Sequence, residues 1–176
     1  MTKSNIISIV IVFIGLAGLI AWGSTQEKNS NLQNASNQDQ PAVLKSEGSV
    51  RALEMPEKMF DFGKISMKNG NVEHLYRVTN PTDKDIFIKK LTTSCMCTKA
   101  YLIDEKGERG PFGMEGMGFV PPANYTLSAG QSIDIKAVFD PNAHGPAGVG
   151  FISRAIVLSG EDGDQATFEF KAIVTP

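Results

Sequence analysis

Val72-Glu73-His74-Leu75-Tyr76-Arg77-Val78 decides the fold, because Val72, His74, Tyr76 and Val78 share one face of a period-two pattern. Side chains of an extended chain point alternately to opposite sides, so this spacing predicts a half-buried strand. The same period begins at Ile86 and Ile88 and recurs in Ile133, Ile135, Ala137 and Phe139, and again in Phe168, Phe170, Ala172 and Val174. A first strand near Lys58 to Phe60 and another from Phe151 to Leu158 complete the set. Turn chemistry separates them: Lys68-Asn69-Gly70-Asn71, Asn80-Pro81-Thr82-Asp83, Ser128-Ala129-Gly130 and Gly160-Glu161-Asp162-Gly163. About seven short strands without a helical pattern among them predict an all-β antiparallel sandwich rather than a barrel or an alternating α/β fold.

Outward from this body the composition changes twice. Residues 24–48 are rich in Asn, Gln and Ser and nearly devoid of large apolar side chains. Such a stretch buries too little surface to offset its ordering entropy, and it is expected to be a flexible linker. Before it, Ile6 to Trp22 form an uncharged apolar run of 17 residues, at the short end of what crosses a bilayer as a helix. The expected organisation is a membrane anchor or uncleaved signal over 1–23, a linker over 24–48 and a β-sandwich over 49–176. Lys3 precedes the apolar run, which favours a cytoplasmic N-terminus and a body outside the cytoplasm, in the periplasm or at the cell surface. A cleaved signal peptide ending near Ala21-Trp22-Gly23 is the competing reading, and it exports the body equally.

Charge narrows the partners. The whole chain has a formal net charge of -2, and no block of Lys and Arg resembles a nucleic-acid arm. A phosphate backbone is therefore not an expected partner.

Five motifs in fixed order carry a resemblance: Asp61-Phe62-Gly63-Lys64-Ile65, Val78-Thr79-Asn80, Thr93-Ser94-Cys95-Met96-Cys97-Thr98, Ser128-Ala129-Gly130-Gln131-Ser132 and Phe139-Asp140-Pro141. From Met59 to Val174 the chain resembles the bacterial domain of unknown function 1573. The resemblance implies an immunoglobulin-like sandwich in a protein exported to, or anchored in, the bacterial envelope, and it implies no activity. Met96 stands where the family motif has glycine. Between Cys97 and the Ser128 turn lies an insertion that includes Gly110-Pro111-Phe112-Gly113-Met114-Glu115-Gly116-Met117-Gly118-Phe119, and a second Gly/Pro-rich loop runs from Pro141 to Gly150.

Cys95 and Cys97 are the only cysteines. In an extended segment their Cα atoms would stand about 6.6 Å apart, near the limit for a disulfide, so a local bridge requires a turn at Met96. Two thiolates can also hold a soft metal, which needs further ligands; Met96, Met114, Met117 and His144 are the candidates, and thiolate with thioether suits Cu(I). An inert packed pair is the third reading. His74, inward-facing between Val72 and Tyr76, reads as structural, and Glu73 and Arg154 read as solvated charges on strand faces.

Enzymatic signatures are missing. There is no Gly-x-Ser-x-Gly elbow and no His-Glu-x-x-His helix, and two histidines are few for acid-base work. A Cys-x-Cys oxidoreductase would lack the helix N-terminus that usually lowers a thiol pKa. The expectation is a binding or assembly module for an envelope protein, not an enzyme, with copper binding or delivery through Cys95 and Cys97 as the alternative.

Overall fold

The computed structural model describes residues 48–176. The expected anchor over 1–23 and the expected linker, apart from Gly48, lie outside the described residues. Ten strands and three short 3₁₀ turns make up the described chain, with no α-helix among them: β1 Met59–Ser66, β2 Val72–Thr79, β3 Ile86–Ile88, β4 Lys90–Thr93, β5 Thr98–Asp104, β6 Gly107–Phe112, β7 Tyr125–Leu127, β8 Ser132–Phe139, β9 Gly150–Ser159 and β10 Gln165–Thr175. One four-stranded sheet has the order β1-β10-β9-β4, the other β2-β8-β5-β6, and β3 pairs with β7.

The period-two stretches form strands because alternate residues reach the space between the two large sheets. Along β8, Ile133, Ile135, Ala137 and Phe139 are buried. Across the gap, Ala166, Phe168, Phe170, Ala172 and Val174 of β10 do the same. Tyr76 joins the layers: its ring lies 4.5 Å from Phe168, and its hydroxyl donates to the Glu169 carbonyl at 2.7 Å. Each fully buried side chain of this size contributes roughly 1.5–3 kcal/mol.

Three features depart from the expected sandwich. First, β1 runs parallel to β10 rather than antiparallel, and it extends to Ser66 well past Phe60. The Asp61-Phe62-Gly63-Lys64 motif is an irregularity in that pairing: the register shifts between Asp61 and Lys64, Gly63 takes φ 66°, and its N–H donates to Asp61 Oδ1 at 2.8 Å. A positive φ there suits glycine. Second, the insertion is partly strand. β5 and β6 form a hairpin along β8, and β6 escapes a pattern search because five of its six residues are exposed, as befits an outer strand. Third, β4 pairs with β9 from Lys90↔Ser159 to Thr93↔Ile156 and delivers the chain to the cysteines.

The body begins earlier than its first strand. Val50, Leu53 and Met55 are buried in the core. Asp164, in the turn between β9 and β10, accepts the Ser49 hydroxyl and, at 2.7 Å, the Val50 N–H on the same carboxylate oxygen.

Candidate functional site

Cys95 and Cys97 lie on a tight turn between β4 and β5. The turn closes where the Thr98 N–H donates to the Cys95 carbonyl at 3.1 Å, and it brings the two Cα atoms to 5.3 Å, with the sulfurs joined as a disulfide. That is the turn at Met96 which a local bridge requires. The rest of the motif holds it in place. The Thr93 hydroxyl lies 3.1 Å from the carbonyls of both Cys95 and Thr98, its single proton shared between them. Ser94 clips the turn to β9, its N–H donating to Ala155 O at 2.9 Å and its hydroxyl accepting from Ala155 N–H at 2.8 Å. The Asp140 N–H donates to the Cys97 carbonyl at 2.9 Å, which ties the Phe139-Asp140-Pro141 motif to the same turn.

The other two motifs meet elsewhere. Asn80 exchanges backbone bonds with the Ser128–Gln131 turn, donating to Gln131 O at 2.9 Å and accepting from Gly130 N–H at 3.0 Å. Its buried side chain donates to the carbonyls of Lys84 and Leu127 at 2.8 and 2.9 Å. This cluster is structural.

Two side chains from distant segments reach the sulfurs. His144, at the head of the 3₁₀ turn Gly145–Gly148, places Nε2 3.2 Å from Cys95 Sγ. Arg154 of β9 donates Nε–H to Cys97 Sγ at 3.1 Å. Burial pulls the Arg154 guanidinium below its ordinary pKa, the penalty for holding charge away from water. The two sulfurs differ in access: Cys97 is 2% exposed, whereas Cys95 is only partly buried and His144 is exposed. His144 and Arg154 also line one open groove with Ala147, Gly148, Val149 and Phe151.

Of the residues singled out in the sequence, the fold brings Cys95, Cys97 and His144 together, with their donor atoms all within 4.8 Å of one another. Met96 lies on the turn itself, 42% exposed. Met114 and Met117 close a separate turn, Met117 N–H donating to Met114 O at 3.4 Å. That turn starts beside Thr93, whose N–H donates to Gly113 O at 3.1 Å, and Glu115 within it pairs with Lys90 at 2.7 Å, so it follows β4 back from the cysteines. His74 is structural as expected: it stacks on Phe60 at 3.6 Å and bonds Glu57 at 2.7 Å. Arg154 is the correction. It is no solvated charge, because it shares the inward parity of Ile152, Ile156 and Leu158, all buried, and that parity was readable in the sequence.

Residues 53–113 match the family described as protein of unknown function (DUF1573). The matched segment runs from the buried Leu53 through the cysteine turn to the end of β6; it supports the resemblance over the first three motifs, while the Ser128–Ser132 and Phe139–Pro141 motifs lie beyond it. No curated protein matches the chain. Among solved structures, a protein of unknown function from Porphyromonas gingivalis W83 is similar at 14% identity with a TM-score of 0.50, over 69% of this chain and 46% of that one. The secreted serine protease VesC from Vibrio cholerae aligns at 13% identity and TM-score 0.44, over 71% and 24%. The E. coli chaperone DraB aligns at 16% identity and TM-score 0.35, over 70% and 55%. The chain thus spans less than two thirds of each of these structures, and the first of them supports the fold alone.

Proposed function

We propose that this chain is an immunoglobulin-like binding module, tethered to a membrane with its body outside the cytoplasm, and that its reduced cysteine pole binds a soft metal ion, Cu(I). The observation that carries the metal reading is the convergence of Cys95, Cys97 and His144, drawn from two loops 49 residues apart onto donor atoms within 4.8 Å. Two thiolates and an imidazole form a three-coordinate set suited to Cu(I). Arg154 beside Cys97 offsets the charge that two thiolates bring to a partly buried site. The tether and the export rest on the apolar run from Ile6 to Trp22.

The reduced full chain should take up one Cu(I) against a competing chelator. Cys95→Ser combined with Cys97→Ser should abolish uptake, and His144→Ala should weaken it about tenfold or more. Uptake that survives loss of both cysteines would sink the metal reading.

A further inference from the structure

The oxidised pair has chemistry of its own, because its two sulfurs are not equivalent. Cys95 is reachable and Cys97 is enclosed, 2% exposed, with the Arg154 Nε–H 3.1 Å from its sulfur. A disulfide is cleaved when a thiolate attacks one sulfur and the other departs as thiolate, faster when the departing thiolate is stabilised. Here access and stabilisation fall on opposite sulfurs, which is the arrangement such a cleavage needs. Next to the more exposed cysteine, and joined to it by His144 whose Nε2 stands 3.2 Å from Cys95 Sγ, lies the groove of His144, Val149, Phe151 and Arg154, and two of its apolar walls stand in solvent: Phe151 is 70% exposed and Val149 44%.

We infer that the Cys95–Cys97 disulfide oxidises a pair of thiols on a polypeptide partner seated in this groove, with Cys95 the sulfur attacked and Cys97 the sulfur released onto Arg154. The first partner thiolate attacks Cys95 Sγ, the Cys95–Cys97 bond breaks, and the electron pair leaves on Cys97, held by the charged hydrogen bond from Arg154. The second partner thiolate then attacks its own sulfur in the mixed disulfide and releases Cys95. The partner has lost two electrons and two protons. The chain has gained both electrons, and the protons pass through solvent to the two cysteine thiols. One disulfide is consumed per event, so the step is stoichiometric. The apolar rim favours a polypeptide over a small thiol, since Phe151 and Val149 gain burial only against a partner of comparable size. This goes beyond metal binding and gives the chain a redox step that the absence of sequence signatures did not suggest.

The test uses the oxidised full chain with a metal chelator present throughout, so that failure here leaves the Cu(I) titration untouched. Reduction by dithiothreitol should slow about tenfold in Arg154→Gln and recover in part in Arg154→Lys; an unchanged rate in Arg154→Gln would overturn the leaving-group assignment. In the reduced wild-type chain, limiting iodoacetamide should label Cys95 at least tenfold faster than Cys97, read by peptide mass. Labelling of Cys97 first, or of both alike, would overturn the assignment of the attacked sulfur, and this arm requires no variant to fold. A reduced peptide with two cysteines flanked by apolar residues should reduce the chain faster than glutathione at equal thiol concentration, and Phe151→Ser should narrow the gap. No advantage for the peptide would remove the polypeptide partner.

Discussion

Asn80 and Arg154 are polar residues on inward-facing positions, one working for the fold and one for the site. The Asn80 side chain is fully buried and satisfied, donating to Lys84 and Leu127 carbonyls and accepting from the Thr82 N–H at 3.0 Å. Asn80→Ala should destabilise the body by roughly 1–3 kcal/mol, because the buried Leu127 carbonyl loses the Asn80 donor while the Lys84 carbonyl keeps the Thr82 hydroxyl, and a shifted urea midpoint with unchanged slope would report it. Gly110 is a second intolerant position: at φ 139° an added Cβ would meet the Ala100 carbonyl oxygen at 3.0 Å. Gly110→Ala should cost about 1–3 kcal/mol in the same measurement. At this scale the sequence was legible wherever parity was applied consistently. Arg154 was misread because charge was given more weight than its place between Ile152 and Ile156, while the contact of His144 with Cys95 bridges 49 residues and leaves no local trace.

Most strands with apolar alternation were found in the sequence; β5, where Thr98, Ala100 and Leu102 alternate but only Leu102 is large and apolar, was missed, and so were the strands without alternation. β2, β8 and β10 have one buried face each, so their periodicity is plain. β6 has almost no buried face, and β4 is four residues long, so neither offers a pattern to detect. Parallel pairing of β1 with β10 is equally silent, because pairing direction depends on the route of the chain and not on which face is apolar. Tyr76 links β2 to β10, and it also sets a pH limit. Burial pushes its phenol above the ordinary tyrosine value near 10, and the carboxylates of Glu57 and Glu169 add to the shift. A phenol whose folded pKa is raised contributes stability that is fully present below the unfolded value and is lost as pH rises past it toward the folded value. Stability should therefore fall above about pH 10, and Tyr76→Phe should flatten that loss at a cost of roughly 1 kcal/mol at neutral pH, as read by urea unfolding from pH 7 to 11.

The folded body as a unit reaches back to Ser49, ahead of the first strand and of the Met59 start of the motif resemblance. A chain beginning at Met59 lacks Val50, Leu53 and Met55, three buried core residues, and with them the contacts of Ser49 and Val50 to Asp164. It should be less stable than one beginning at Gly48 by about 4 kcal/mol or more, measured as the difference in urea unfolding free energy. Equal stability of the two would show that the entering segment is dispensable.

The same Asp164 contact has a mechanical side. Tension applied ahead of Gly48 meets the carboxylate of Asp164 at the corner between β9 and β10, where Lys90 pairs with Ser159. The cysteine turn joins β9 at Ala155, four residues back along that strand from Ser159, about 13 Å away. A pull applied at Gly48 would load that corner first, one strand segment away from the point where the cysteine turn is clipped to β9.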